Sequence, residues 1–320
     1  MRAMGIRSFG GPDVLQPIVV PRPVPLPSEI LVRVHAAGIN PVDTRTREGF
    51  PTPAAAALGS APHILGWDVS GVVEAVGHGV FLFEPGDEVY GLPWFPRPAG
   101  AYAEFVTAPS RQFARKPKSL SHVEAASVPL ACLTAWQALV DAADVQPNQR
   151  VLIHAAAGGV GQFAVQIAKF LGAHVVATAR KTHHEWLIEL GADEVIDYTA
   201  DSFEDETQDI DVVIDLVGDA ADMTTVRSLK VLRRDGLLVL IAPGVSPELE
   251  SAARAAHVRV TPPILVEPDG RTLSRLAGLF ETGNLRVRVS TVFPLGEAAR
   301  AHQLAESGGG IGKVVLEVAS

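Results

Sequence analysis

The sequence predicts an α/β protein that combines a β-rich domain with a doubly wound domain built on a parallel six-stranded sheet. Three observations predict this fold. Residues 1 to about 120 are rich in Pro, Gly and short β-branched runs, which favours an irregular, barrel-like β domain. From Arg150 onward, short apolar strands alternate with helical segments, which is typical of a parallel sheet covered on both faces. The length of 320 residues exceeds the usual size of one domain.

The strands of the first part follow from alternation of apolar and polar residues. Ile30–His35 alternates as a half-buried strand should, and Val69–Gly77 and Asp87–Leu92 follow the same pattern. Near Leu120 the residue pattern changes from alternating strands to a helical stretch. Ser121 is a suitable helix N-cap, and Glu124 completes a capping box before an apolar helical stretch through Trp136 and Leu139.

The second part contains six predicted strands. They are Val151–Ala155, Val175–Thr178, Glu194–Asp197, Val212–Leu216, Leu237–Ala242 and Val258–Thr261. The tail from about Arg271 contains a helix, a second helix near Leu295–Ser307 and a last strand at Lys313–Val318. We expect this tail to return to the first domain, so the domains comprise residues 1–122 with 271–320, and residues 123–270.

Composition and charge exclude several classes of protein. The net charge of −9 and the lack of a basic cluster argue against nucleic-acid binding. The N-terminus lacks the apolar run of a signal peptide, and no run of about 18 apolar residues predicts a membrane span. The single cysteine, Cys132, excludes an internal disulfide. We therefore expect a cytoplasmic protein.

The first predicted strand of the second part leads into a glycine-rich turn that reads Ala155-Ala156-Ala157-Gly158-Gly159-Val160-Gly161 and opens a helix. This is the dinucleotide fingerprint with its first glycine replaced by Ala156. Gly158 allows the backbone to approach a pyrophosphate, and Gly161 allows the helix to pack closely on the strand. The N-terminus of the helix offers free N–H groups to the phosphates. The predicted contacts of this turn are Ala157, Gly158, Gly159, Val160 and Gly161.

The end of the second strand indicates which nicotinamide cofactor fits. An NAD site usually has Asp or Glu there, to accept a hydrogen bond from the ribose 2′-hydroxyl. This strand ends instead in Thr178-Ala179-Arg180-Lys181-Thr182. Two cations at the place of a 2′-phosphate favour NADPH. The predicted contacts at this end are Thr178, Arg180, Lys181, Thr182 and Tyr198, although Tyr198 is equally compatible with a plain surface position.

These residues, taken together, are similar to the zinc-free quinone-oxidoreductase (zeta-crystallin-like) branch of the medium-chain dehydrogenase/reductase family. The resemblance covers nearly the whole chain. The segments that carry it, in family order, are Met4–Leu15, Ala37–Asp43, Leu65–Gly77, Glu84–Gly91, Gly100–Phe105, Leu133–Trp136, the glycine-rich turn and Leu190–Tyr198. The resemblance implies a GroES-like catalytic domain, a Rossmann domain that binds NADPH, and a homodimer formed through the edge of the Rossmann sheet.

The resemblance also implies a catalytic set without metal. Zinc-dependent relatives have a Cys where this chain has Asn40 and a His where it has Trp67, and neither residue is a zinc ligand. Asn40 is the polar candidate for a hydrogen bond to the substrate oxygen or to the nicotinamide ribose, or else it shapes the turn before Pro41. Asp43 lies at a family position and is open to a catalytic or a structural role.

Further contacts to the nicotinamide end of the cofactor come from the resemblance and from the ends of the fourth and fifth predicted strands. The predicted contacts are Thr134, Val217, Gly218, Ala242, Pro243 and Lys313.

The expected activity is therefore an NADPH-dependent, zinc-independent reductase that delivers hydride to quinones or similar conjugated carbonyls. Two alternatives stay open. One is a reductase of enoyl thioesters or enones, although Phe50 stands near the position where many such relatives carry a proton-donating Tyr. The other is a non-catalytic, crystallin-like protein that binds NADPH without turnover.

Overall fold

The structure is a computed structural model that describes residues 1–308 and 310–318. The chain forms two compact units. Unit 1 comprises Met1–Leu133, Glu267–Gly283 and Val287–Ser320, and unit 2 comprises Thr134–Val266 and Asn284–Arg286. The first division lies beyond the predicted boundary at residue 122 because the helix that starts after Ser121 packs on the sheet of unit 1.

The first part of unit 1 contains eight strands and three short helices. The strands are β1 (Arg2–Ile6), β2 (Gln16–Val19), β3 (Glu29–Gly38), β4 (His63–Ile64), β5 (Asp68–Val76), β6 (Glu88–Gly91), β7 (Phe105–Pro109) and β8 (Phe113–Arg115). The helices are α1 (Pro41–Glu48), α2 (Pro53–Ala56) and α3 (His122–Ala126). The capping box predicted for α3 is confirmed, since the Ser121 N–H donates to Glu124 at 2.8 Å and the Glu124 N–H donates to Ser121 at 3.2 Å.

The long helix predicted through Leu139 is interrupted. After α3, the chain forms α4 (Pro129–Trp136) and then a π-helical turn, Gln137–Ala142. The interruption falls at Pro129, which begins α4 because proline is favoured in the first turn of a helix and not in its interior.

Unit 2 alternates strands and helices, as the sequence predicts. The strands are β9 (Arg150–Ile153), β10 (His174–Ala179), β11 (Glu194–Asp197), β12 (Ile210–Asp215), β13 (Leu232–Leu240) and β14 (Arg259–Val260). The helices are α5 (Gly161–Phe170), α6 (His184–Glu189), α7 (Phe203–Glu206), α8 (Thr224–Arg227) and α9 (Leu249–Ala256).

The tail adds the last elements of unit 1. They are α10 (Gly270–Glu281), β15 (Val289–Pro294), α11 (Ala298–Ser307) and β16 (Lys313–Glu317). Short 3₁₀ turns lie at Pro12–Val14, Ser110–Gln112, Lys181–His183, Ser228–Lys230 and Leu295–Glu297. The strand β15 was not predicted; its half-buried side chains, Val289, Thr291 and Phe293, alternate with exposed ones.

The sheets confirm the predicted fold class. Unit 1 has a seven-stranded sheet in the order β15-β16-β3-β5-β6-β8, with β7 paired to β3, and a small sheet in the order β2-β1-β4. Unit 2 has a six-stranded parallel sheet in the order β11-β10-β9-β12-β13-β14. Successive strands run outward from β9 in one direction and from β12 in the other. The point between β9 and β12 is therefore a topological switch point, where sheets of this kind bind ligands.

Within the described residues, the chain has no helix that is both long and apolar enough to cross a membrane.

Candidate active site

The glycine-rich turn follows β9 and leads into α5. Ala155 adopts the left-handed backbone conformation, with φ of 48°. A Cβ atom on Gly161 would lie 2.5 Å from the carbonyl oxygens of both Ala155 and Ala156, so only glycine fits there. The amide N–H groups of Gly159 and Val160 have no hydrogen-bond acceptor within the described chain. The turn thus presents backbone donors at the N-terminus of a helix, which suits a phosphate group.

The buried residue His154 forms hydrogen bonds that hold this turn against neighbouring elements. The His154 N–H donates to the Ile214 carbonyl of β12 at 3.1 Å. Its ring nitrogens lie 3.1 Å from the Thr178 hydroxyl oxygen and 2.9 Å from the Ser228 hydroxyl oxygen. Burial lowers the pKa of His154 to about 4, so the ring is neutral at pH 7. Thr178, a predicted cofactor contact, is buried and uses its hydroxyl to hold the histidine.

The predicted phosphate-binding side chains come together at the ends of β10 and β11. The Arg180 guanidinium Nε donates to the Tyr198 hydroxyl at 3.2 Å. Arg180 and Lys181 are exposed, and Lys181 and Thr182 lie in the 3₁₀ turn that follows β10. The parallel pairing of Ala179 with Asp197 brings these two strand ends to the same edge of the sheet.

Lys181 also lines a cavity of about 310 Å³. The other charged or titratable residues that line this cavity are His184, Asp197, Asp201 and Glu206. Three carboxylates repel a phosphate, so the Arg180–Tyr198 pair is the better phosphate site of the two.

The loops after β12 and β13 are held by buried aspartates. One carboxylate oxygen of Asp215 accepts hydrogen bonds from the Val217 N–H at 2.8 Å and the Gly218 N–H at 3.0 Å. Gly218 has a φ of 82°, and a Cβ on it would lie 2.8 Å from the Pro243 carbonyl oxygen. Gly218 therefore lies against Ala242 and Pro243, as expected for the ends of adjacent parallel strands.

In unit 1, Asn40 precedes α1 and is only 2% exposed. Its side-chain Nδ2 donates to Asp68 Oδ2 at 2.8 Å, and its Oδ1 accepts a hydrogen bond from Lys313 Nζ. Lys313 Nζ also donates to the Ile39 carbonyl at 2.8 Å and lies 3.6 Å from Asp68 Oδ2. Burial lowers the pKa of Lys313 and raises that of Asp68. The predicted site residues Asn40 and Lys313 are therefore direct partners in one buried cluster.

Asp43 lies beneath the same residue. Its Oδ2 accepts the Asn40 backbone N–H at 2.7 Å, and the side chain is fully buried. The Tyr102 hydroxyl also interacts with this carboxyl group and lowers its pKa. Burial raises the pKa of Asp43 to about 7, and the Asn40 N–H opposes this rise.

Behind Asp43 lies a chain of buried polar groups that sequence reasoning missed. The Tyr102 hydroxyl oxygen lies 3.1 Å from His302 Nε2, and His302 Nδ1 lies 3.3 Å from a guanidinium nitrogen of Arg47. Arg47 is fully buried and pairs with Glu306 at 2.6 Å. Because arginine only donates, His302 Nδ1 accepts and Nε2 donates to Tyr102. No sequence signal relates these residues, since they come from distant segments of the chain.

The remaining predicted contact, Thr134, lies in α4 and is 5% exposed.

Two family models match the chain. The model described as "Alcohol dehydrogenase GroES-like domain" matches residues 26–118, and the model described as "Zinc-binding dehydrogenase" matches residues 190–316. Among curated proteins, the mouse "NAD(P)H oxidoreductase RTN4IP1, mitochondrial" is 33% identical over 360 residues, covering 99% of this chain and 89% of the relative. The mouse "Quinone oxidoreductase" is 32% identical over 336 residues, covering 99% and 97%.

Solved structures give the same result. The quinone oxidoreductase from Coxiella burnetii superposes with a TM-score of 0.92 at 38% identity, covering 99% of both chains. The Escherichia coli quinone oxidoreductase, solved in complex with NADPH, superposes with a TM-score of 0.87 at 29% identity, covering 99% of this chain and 100% of that chain.

Proposed function

Because the chain belongs to the quinone-oxidoreductase branch of the medium-chain dehydrogenase/reductase family, we propose that it transfers hydride from NADPH to a quinone or a similarly conjugated carbonyl without a metal ion. NADPH supplies the hydride when bound. The chain's own residues bind the cofactor, orient the acceptor and exclude water.

Unit 2 binds the cofactor in this proposal. The unpartnered N–H groups of Gly159 and Val160, at the N-terminus of α5, are donors for the pyrophosphate. Arg180, Lys181 and Tyr198 bind the 2′-phosphate, because a guanidinium matches phosphate oxygens and no acid at the end of β10 competes for a 2′-hydroxyl. The backbones of residues 217–218 and 242–243 frame the nicotinamide.

The donor set in unit 1 does not fit a zinc ion, and this observation carries the proposal. The positions of the zinc-binding Cys and His hold Asn40 and Trp67, and the Trp67 indole donates to the Arg97 carbonyl at 2.7 Å. The Lys313 amine donates to the Asn40 and Ile39 oxygens, so these oxygens are already engaged by a cation. Within residues 1–308 and 310–318, no three His, Cys, Asp or Glu side chains converge as metal ligands. Without a Lewis acid, the favoured acceptor is one that is already electrophilic.

Asn40 orients the acceptor in this proposal. Its amide nitrogen carries two hydrogens, and Asp68 accepts one of them, so the second can donate to the acceptor's oxygen as negative charge develops there. Lys313 and Asp68 fix the carboxamide from both ends, and Asp43 fixes the backbone. Asp43 is therefore a positioning residue, since it is fully buried and bound to the Asn40 N–H.

The experiment is an acceptor panel of quinones, enals and enoyl thioesters, assayed by the loss of NADPH absorbance, with NADPH binding measured separately by fluorescence. We expect turnover with quinones and no loss of activity after exhaustive chelation. Asn40→Ala is expected to lower kcat, and its control is Asn148→Gly, at an exposed position whose φ of 70° glycine adopts without strain.

The other results contradict the proposal in distinct ways. Preference for enoyl thioesters supports the alternative reductase activity. NADPH binding without turnover of any acceptor supports a non-catalytic protein. Loss of activity on chelation, restored by zinc, contradicts the metal-free reaction.

We also propose a homodimer, joined at an edge of the unit 2 sheet. In the described part of the chain, β11 and β14 each pair with a strand on one side only. Sedimentation of the purified protein tests this proposal. The cytoplasmic location stays a prediction.

A further inference from the structure

Three fully buried side chains of unit 1 form a line of polar contacts that ends at the residue beneath Asn40. They come from separate segments of the chain: Arg47 from α1, His302 from α11 and Tyr102 from the loop between β6 and β7. The Tyr102 hydroxyl interacts with the carboxyl group of Asp43, and Asp43 accepts the Asn40 backbone N–H at 2.7 Å. The line therefore leads to the residue proposed to orient the acceptor.

The hydrogen atoms along this line run in one direction. Arginine has donors and no acceptor, so Arg47 donates to His302 Nδ1 over 3.3 Å. Burial lowers the pKa of His302 to about 3, so the ring is neutral and carries its single N–H at Nε2. That N–H donates to the Tyr102 hydroxyl oxygen over 3.1 Å. The hydroxyl hydrogen of Tyr102 is then left to donate to Asp43.

The carboxyl group of Asp43 thus meets two donors, the Asn40 N–H and the Tyr102 hydroxyl, and both favour its ionised form. Burial raises the pKa of Asp43 to about 7, and the charge of Asp68 acts in the same direction. The Asn40 N–H, the Lys313 charge and the Tyr102 hydroxyl oppose this rise. Near neutral pH, the charge of Asp43 therefore depends on its hydrogen-bond donors.

Both ends of the line are held in place. Arg47 pairs with Glu306 at 2.6 Å and with Glu48 at 2.9 Å. The Tyr102 ring packs on Gly66, where an added Cβ would lie 2.4 Å from a ring carbon. Apolar side chains of similar size often stabilise an interior as well as a buried polar set does, so stability alone does not account for this line.

We infer that Tyr102 and His302 are positioning residues of the reductase, which keep Asp43 as a carboxylate and thereby hold the backbone that carries the Asn40 side chain. This inference rests on the proposed function. A carboxylate binds the Asn40 N–H more strongly than a neutral carboxylic acid does. Since a small displacement of an orienting group slows the chemical step, the effect is expected in kcat rather than in KM.

The test is the pH profile of kcat with 1,4-naphthoquinone for Tyr102→Phe, which removes the hydroxyl and keeps the ring. Wild-type kcat is expected to fall as the pH decreases through about 7, where Asp43 takes up a proton. Without the hydroxyl the carboxylate loses a donor, so we expect this fall about one pH unit higher, with KM little changed.

Two substitutions of His302 extend the test along the line. His302→Leu removes the donor to Tyr102, and we expect a smaller shift of the profile in the same direction. His302→Gln keeps an N–H donor near the position of Nε2, so its profile is expected to resemble that of the wild type. If Tyr102→Phe does not fold, this pair replaces it, and equal profiles for the two His302 variants overturn the inference.

The matched control is Tyr90→Phe. It removes another fully buried hydroxyl of unit 1, which donates to the Leu273 carbonyl at 2.7 Å. We expect it to leave the pH profile as in the wild type, whatever it does to stability. A wild-type profile for Tyr102→Phe, an equal shift in Tyr90→Phe, or a change confined to KM overturns the inference.

A measurement without turnover separates this inference from the proposed function. Difference infrared spectroscopy follows protonation of the Asp43 carboxyl group, and Asp43→Asn identifies its band. We expect the midpoint near pH 7 in the wild type and at a higher pH in Tyr102→Phe. Equal midpoints overturn the inference, whereas failure to reduce any acceptor refutes the proposed function alone.

Discussion

Asn40 is bound by the protein at both ends of its carboxamide, and this decides what the residue can do. Lys313 donates to its oxygen and Asp68 accepts from its nitrogen, so the side chain cannot rotate without breaking two buried hydrogen bonds. The sequence identified Asn40 and Lys313 as separate candidates. Their pairing depends on the antiparallel register of β16 with β3, which the sequence does not encode locally.

A first prediction concerns this cluster. Lys313→Met leaves the buried Asp68 carboxylate without its cation, and we expect unit 1 to lose about 3 kcal/mol of stability. Urea unfolding followed by tryptophan fluorescence measures this, since Trp67 and Trp94 lie in unit 1. Lys169→Met removes an exposed pair with Asp193 and is expected to cost less than about 1 kcal/mol. If both variants lose the same free energy of unfolding, the buried Asp68 carboxylate does not need Lys313 for its stabilisation.

A second prediction concerns the choice of cofactor. The double substitution Arg180→Ala with Lys181→Ala removes the charges proposed to bind the 2′-phosphate. We expect NADPH affinity to fall ~100-fold and NADH affinity to change little, because only NADPH carries that phosphate. Fluorescence titration with both cofactors measures the two constants. Arg234→Ala, at an exposed position of β13, is the control, and equal losses for both cofactors would refute the assignment.

At the scale of elements, the strand–turn–helix unit of β9, the glycine-rich turn and α5 was predictable because its constraints are local. Apolar strand residues, small turn residues and the helix lie within one continuous segment. The predicted helix through Leu139 was partly wrong for the opposite reason: hydrophobic periodicity alone did not show that Pro129 starts a new helix.

A third prediction belongs to this element. Gly161→Ala adds a methyl group 2.5 Å from two backbone carbonyl oxygens, which cannot move aside as a side chain would. We expect a loss of about 1–3 kcal/mol in stability and weaker NADPH binding. Gly278→Ala is the matched control, because nothing lies within 4 Å of its added methyl group on α10. Alanine should stabilise that helix by up to about 1 kcal/mol. Thermal melting with and without NADPH distinguishes the two variants.

At the scale of the whole molecule, several histidines are held neutral by burial. Burial lowers the pKa of His154 to about 4 and that of His302 to about 3. In the unfolded chain these groups take up a proton near pH 6.5. The unfolded state therefore binds more protons than the native state between these values, and stability falls as the pH falls.

A fourth prediction follows for unit 2. We expect His154 alone to remove on the order of 3 kcal/mol of stability between pH 7 and pH 4. His154→Gln is expected to flatten the dependence of the urea midpoint on pH, whereas His78→Gln, at an exposed position, should leave it unchanged. If the urea midpoint of His154→Gln depends on pH as steeply as that of the wild type, His154 is not the source of the loss of stability at low pH.

The sequence by itself determined the two-part fold, the six-stranded sheet and the position of the glycine-rich turn between β9 and α5. These depend on hydrophobic period, chain order and small residues at fixed spacing, all of which are local. Only the tertiary structure decided that Lys313 binds Asn40 and that Thr178 supports His154. Pairing between side chains from distant segments depends on strand register and packing, and those arise only when the chain has folded.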